Sequence, residues 1–374
     1  MASYRAFPLA SDSKNYTIYL EKRYRIEGFE KLERIDAMSN SEGKEVQWKS
    51  PAGTYWRVPC KNVESWADLR GIQKWFRKQA DFTDQEGRRP NKFIYRGQGP
   101  HGDLKTSIER AFEEFEIDSK DRPNCEKQLI RSFQRKAPYH LKGVSVPAID
   151  NTLEWLSLMQ HFGAPTRLLD WSYSFYRALY NAVSKDSHKD KLWGKYESEL
   201  WVMNTIWFTE KTEGNPQKKI TGKLRGSIEK LKKKRDKTEL LDALKKAKEE
   251  VRDYKGNLEN NRNKLVQYLM DLRKPISLVY NVTPIGLNER MIYQQGTFVL
   301  PGDVTKCFMQ NLEPYKTGKC EDHLYRIVIK LEQQERNKII EELNNMNINE
   351  AVLFPGLDGF AKSLWMQLAF LHKR

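Results

Sequence analysis

Trp155-Leu-Ser-Leu-Met-Gln-His-Phe-Gly-Ala-Pro-Thr-Arg-Leu-Leu-Asp-Trp171 is the stretch on which the reading of this chain turns. An apolar helical pattern runs through it and stops at Gly163, a residue suited to the left-handed cap that ends many helices. Pro165 keeps the helix from resuming. Gln160, His161, Thr166, Arg167 and Asp170 then gather polar groups between Trp155 and Trp171. His161 stands near the helix C-terminus, where the helix dipole raises affinity for a proton. Arg167 and Asp170 are spaced to pair with each other. A single histidine in such a place is more often a satisfied core residue, so the density of polar groups, not the histidine, marks a candidate site.

On either side the pattern alternates between strands and helices. Upstream, Ser65 with Asp68 three residues on has the form of a capping box, and Leu69, Ile72, Trp75 and Phe76 recur on one helical face. A short strand, 93–95, runs into Tyr95-Arg96-Gly97-Gln98, with a turn expected across 97–100. Helices are expected at 124–135, 151–161 and 173–184. Downstream, strands are expected at 276–280, 296–300 and 324–331, a helix at 333–345, a further strand at 350–354, and a last helix from near Gly359. Residues 1–60 read as a small β-rich region, with strand-like segments at 16–20 and 53–58.

Residues 210–273 differ in kind, with 19 Lys or Arg against 11 Asp or Glu. Leu244, Val251, Leu258, Leu265 and Leu272 repeat every seven residues, and Ala247, Tyr254 and Tyr268 fill companion positions interrupted by Asn261, as in a coiled-coil seam. This predicts an inserted basic helical hairpin, which fits both a solvated stalk and an arm gripping nucleic acid or a partner chain. The main domain is then 61–209 with 274–374, of α+β class, with a mixed sheet and helices around it.

The whole chain of 374 residues carries a formal net charge of +15, with ten Trp and 39% hydrophobic residues. A packed core is affordable, and the charge favours polyanionic partners without choosing among them. No run reaches the roughly 18–20 apolar residues of a membrane span, and Met1–Ala10 lacks a signal-peptide core. Four scattered cysteines, Cys60, Cys125, Cys307 and Cys320, form no CxxC pair. The expectation is a cytoplasmic protein with free thiols and no membrane association. Cys307, Cys320 and His323 lack a fourth partner, so no metal site is expected. Neither a dinucleotide GxGxxG fingerprint nor a P-loop is present.

Two further segments complete the candidate site: Gln294-Gln-Gly-Thr-Phe298, whose Gln295 and Gly296 precede a strand, and Leu353-Phe-Pro-Gly-Leu-Asp-Gly359, where Asp358 fits either a helix cap or a working carboxylate. With Tyr95-Arg96-Gly97-Gln98 and 158–171, these segments resemble the FRG family (Phe/Tyr-Arg-Gly-Gln) of bacteria and their phages, in the family's order. The resemblance runs from 63–66 to the C-terminus, excluding the insertion. Gly356 departs from it, since the family often has Asp there.

The FRG resemblance also looks like the ADP-ribosyltransferase superfamily, and implies an ADP-ribosyltransferase-like sheet core and NAD as substrate. It implies catalytic roles for Arg96, His161 and Asp358 (less well, Glu350). Arg96, Gly97, Gln98, Thr166, Arg167, Trp171, Gln295 and Phe298 would then bind NAD, with Arg96 and Arg167 on the phosphates and Trp171 or Phe298 stacked on the nicotinamide. The expected activity is ADP-ribosyl transfer to RNA or DNA by a toxin or phage-defence effector, restrained by an antitoxin or chaperone. A nucleic-acid-binding module without chemistry, and a metal-dependent nuclease using Asp170, Asp358 and a histidine, are the alternatives.

Overall fold

The computed structural model describes residues 60–80, 92–100, 102–141, 146–184, 196–209, 262–272, 275–284, 289–315 and 323–371. The expected strands at 16–20 and 53–58 and most of the expected hairpin, 210–261, lie outside them.

The strands are β1 (Cys60–Val63), β2 (Phe93–Gln98), β3 (Leu169–Ser172), β4 (Tyr196–Asn204), β5 (Val279–Val282), β6 (Gly296–Pro301) and β7 (Leu324–Leu331). They form one seven-stranded open sheet in the order β1-β7-β4-β2-β3-β6-β5. Every pairing is antiparallel except that of β1 with β7. The chain is therefore a mixed α and β structure.

Strand side chains alternate between faces, and here both faces are covered. Tyr95, Leu200, Val202, Ile327 and Ile329 pack with α1 (Trp66–Ala80), α5 (Phe175–Val183) and α9 (Gln333–Asn345). Their neighbours Ile94, Trp201, Met203 and Leu324 face the opposite way, toward α4 (Thr152–His161) and α6 (Arg262–Asp271). Leu200 and Trp201 are both fully buried, each such apolar side chain contributing about 1.5–3 kcal/mol by removal from water. Val266, Leu269 and Met270 of α6 belong to this core, so the end of the expected insertion packs into the main domain.

Local signals explain the element boundaries. Ser65 and Asp68 cap α1 reciprocally: the Ser65 hydroxyl donates to Asp68 Oδ2 at 2.8 Å and accepts from the Asp68 N–H at 3.2 Å. Asn151 caps α4 by accepting from the Glu154 N–H, and Gly163 follows its end at φ +79°. Two expectations need correction. β2 continues through Gln98 where a turn was expected, because Gly97 and Gln98 pair with Leu200 and Glu199. Residues 350–353 are α10 (Glu350–Leu353), one helical turn, not a strand; the Asn349 side chain accepts from the Val352 N–H at 3.1 Å and starts it. The remaining helices are α2 (Ser107–Glu114), α3 (Arg122–His140), α7 (Glu289–Gln294), α8 (Phe308–Asn311) and α11 (Leu357–Leu371).

Candidate functional site

The four sequence segments meet in space. β3 pairs with β2 only at Tyr95↔Ser172, and beyond that point the Asp170 carbonyl accepts from Arg96 Nη1 at 2.7 Å. The third segment joins the second through the Ser172 hydroxyl, which donates to the Gln294 carbonyl at 2.7 Å, and through the Tyr173 N–H, which donates to the Gln295 carbonyl at 2.9 Å. The fourth joins the third: Gln294 Nε2 donates to the Leu353 carbonyl at 3.1 Å, and the Arg290 guanidinium lies 4.6 Å from the centre of the Phe354 ring.

Arg96 is the most exceptional group there. Its Nε is buried and has no hydrogen-bond partner among the described residues. Burial lowers its pKa, the Asp170 carboxylate opposes that, and the charge of Arg110 adds to it. A guanidinium stays protonated through such a shift, so the result is a partly buried cation whose Nε has no protein partner among the described residues. Arg110, exposed on α2, supplies a second cation, with Nη1 donating to the Lys105 carbonyl at 2.9 Å.

Gly97 has a packing reason for being glycine. A Cβ there would sit 1.9 Å from the Ala178 carbonyl oxygen, so the missing side chain lets α5 close on β2. Gln98 Nε2 donates to the Gly102 carbonyl at 2.7 Å. Gln295 takes φ +46° in the turn between α7 and β6.

The second segment divides into structural and open parts. Arg167 is 3% exposed and pairs through both Nε and Nη2 with buried Glu126, while Nη1 donates to the Pro301 carbonyl. The expected Arg167–Asp170 pair does not form, because the buried partner from α3 claims the guanidinium. Thr166 is fully buried. Its hydroxyl donates to Gln160 Oε1 at 2.5 Å and accepts from the Leu168 N–H. Trp171 and Phe298 lie in the hydrophobic core. Asp170, by contrast, is exposed, and its Oδ2 accepts from Gln160 Nε2 at 2.9 Å. The Ser107 hydroxyl lies 3.5 Å from Gln160 Oε1 and caps the Thr166 N–H.

His161 corrects a further expectation. Burial, and then the nearby Arg290 cation, lower its pKa instead of raising it. Its Nδ1 is buried without a partner among the described residues. Asp358 lies exposed in the first turn of α11, and no hydrogen bond or ion pair ties it to Arg96 or His161 among the described residues. Glu350 accepts from the Tyr180 hydroxyl at 3.3 Å. Among the described residues no group of three His, Cys, Asp or Glu could hold a metal ion, and no helix is long and apolar enough to cross a membrane.

Sequence reasoning passed over α2. Thr106-Ser-Ile-Glu109 has the spacing of a capping box, and that signal would have placed Ser107 and Arg110 on a helix start. It gives no sign that Glu109 is buried. Burial pushes the Glu109 carboxyl up to about 7, against the pull of the Phe308 N–H that it accepts at 3.0 Å.

These features define a mixed α and β domain with a cationic polar site where a strand end meets a helix-to-strand turn. Residues 91–191, which contain its first two segments, match the FRG domain model, and the chain carries an FRG domain there. No curated protein and no solved structure matches the chain.

Proposed function

We propose that this FRG domain is an ADP-ribosyltransferase-like enzyme that uses NAD as substrate and a nucleic acid as acceptor. The observation that supports this most is Arg96: a partly buried guanidinium with an orphaned Nε, beside a second cation, Arg110. Such a group suits a phosphate, which the rigid donor fork meets with charge-assisted hydrogen bonds.

In the reaction, the bond from the ribose anomeric carbon to the nicotinamide nitrogen breaks, and its electron pair leaves with neutral nicotinamide. A lone pair of the acceptor forms the new bond, and the acceptor gives up its proton. The site's task is to fix the pyrophosphate and to stabilise positive charge developing on the ribose. Arg96 and Arg110 take the first role in place of the expected Arg96 and Arg167, since Arg167 is sequestered by Glu126. Trp171 and Phe298 are core residues; the exposed ring within the converging segments is Phe162, with Tyr293 and Phe360 exposed just beside them. His161, held neutral by burial and Arg290, serves as an uncharged hydrogen-bonding group. The net charge of +15 supports RNA or DNA as acceptor.

An enzyme of this kind fits a toxin or phage-defence effector, held in check by an antitoxin or chaperone. Calorimetric titration with NAD tests the site: roughly micromolar binding that Arg96→Ala weakens by about tenfold or more is expected, while an unchanged affinity in a folded Arg96→Ala protein contradicts the reading.

A further inference from the structure

We infer that Asp170 is the carboxylate of this site, receiving a hydroxyl of the ribose whose phosphate Arg96 holds, and that Gln160 positions it. The inference rests on the NAD reading above and assigns the carboxylate role to Asp170 where Asp358 was expected.

β3 alternates between core and surface. Leu169 and Trp171 are buried in the core, and Asp170 between them is exposed. Its main chain and its side chain are both engaged in the site: the carbonyl accepts from Arg96, and Oδ2 accepts from Gln160. Oδ1 has no hydrogen-bond partner among the described residues, so one lone-pair edge of the carboxylate is open. The Asp170 charge also bears directly on Arg96, which places carboxylate and guanidinium in one local field.

Gln160 is not free to turn. Its Oε1 accepts from the Thr166 hydroxyl, with Ser107 also within reach, which leaves Nε2 as the group facing Asp170. An amide pinned at one end in this way sets the direction of the carboxylate it touches. Thr166, expected to touch the ligand itself, is thus fully buried and acts one step back.

A fixed carboxylate with an open oxygen, next to a cation with an orphaned donor, is complementary to a ribose hydroxyl beside a phosphate. A carboxylate accepts from a hydroxyl and repels an anion, while a guanidinium does the reverse. The ligand class is therefore a ribonucleotide, discriminated from analogues that lack the hydroxyl donor. Among the described residues Asp358 has no such link to Arg96.

The test is calorimetric binding of NAD and of the analogue whose nicotinamide-ribose 2′-hydroxyl is replaced by fluorine in the arabino configuration. Wild type is expected to prefer NAD by about tenfold or more, the worth of a hydrogen bond to a charged group. Asp170→Asn keeps an acceptor for Gln160 but turns the open edge into a donor, and should bind both ligands within about twofold. Gln160→Met leaves the carboxylate in place but unpinned, and should narrow the preference severalfold while NAD still binds; an unchanged preference overturns the positioning role. A folded Asp170→Asn protein that keeps the full preference overturns the assignment of Asp170 and leaves the NAD reading standing. If wild type binds neither ligand, the NAD reading itself fails. Should Asp170→Asn not fold, the Gln160→Met result decides.

Discussion

Replacing Glu109 by Gln should remove a pH dependence from the stability of the chain. Glu109 is 5% exposed, and burial is the main reason its carboxyl is pushed up to about 7 from 4.5. The Phe308 N–H and Lys105 pull the other way, while Glu113 adds to the rise. A carboxyl raised in the folded state binds more protons there than in the unfolded chain. Stability therefore falls as pH climbs from about 4.5, and the cost is fully present above about 7. With about 1.36 kcal/mol per pKa unit, the loss between pH 5 and pH 8 is about 2.5 kcal/mol. Glu109→Gln keeps an acceptor for the Phe308 N–H but cannot ionise. Urea unfolding of both proteins at pH 5 and pH 8 measures the difference of differences, in which the cost of burying the amide cancels. The variant should gain about 2.5 kcal/mol on wild type between the two pH values. A change under about 0.5 kcal/mol would mean that the folded carboxyl titrates near its unfolded value and that water reaches it.

Gly97→Ala should destabilise the fold by about 3 kcal/mol or more, the upper part of the range for overpacking, because the methyl would meet the Ala178 carbonyl oxygen; a normal thermal melt would show that α5 can slide away. Glu126→Ala should cost about 3–5 kcal/mol by leaving Arg167 charged and unpaired in the core, whereas joint replacement of Glu126 and Arg167 by Leu and Met should cost less, as chemical denaturation will show. In an NMR titration, His161 should have a midpoint below 6.5, rising in Arg290→Gln, since burial and Arg290 both lower it; a midpoint above 6.5 would restore the helix dipole as the dominant influence.

How much was legible in the sequence depended on how local each cause is. The alternation Leu324-Tyr-Arg-Ile-Val-Ile-Lys-Leu331 and the periodicity of 333–345 gave strand and helix with the observed limits, because both depend on neighbours along the chain. Gly163 ends α4 for an equally local reason. Residues 350–353 were misread because a short apolar run has no period of its own, and the Asn349 cap decides it. Arg167 looked available to a ligand because Glu126, which claims it, lies on α3, 41 residues away along the chain. Trp171 looked like a stacking ring until the pairing of β3 between β2 and β6 put it in the core. The meeting of 95–98, 158–171, 294–298 and 353–359 depends on sheet order, which no single segment encodes. Asp170, which the sequence offered as one of a polar cluster, as a partner for Arg167 and as part of a possible nuclease, becomes notable through its contacts with Arg96 and Gln160.

The central claim is that Arg96 anchors NAD for transfer, and the most direct test is transfer of labelled ADP-ribose from NAD. Wild type and Arg96→Ala, both shown to be folded, are offered RNA, single-stranded DNA, duplex DNA and lysate protein separately. Label on RNA or DNA with wild type, lost in the variant, is the predicted result. No label on any acceptor from the folded wild-type protein would contradict the account.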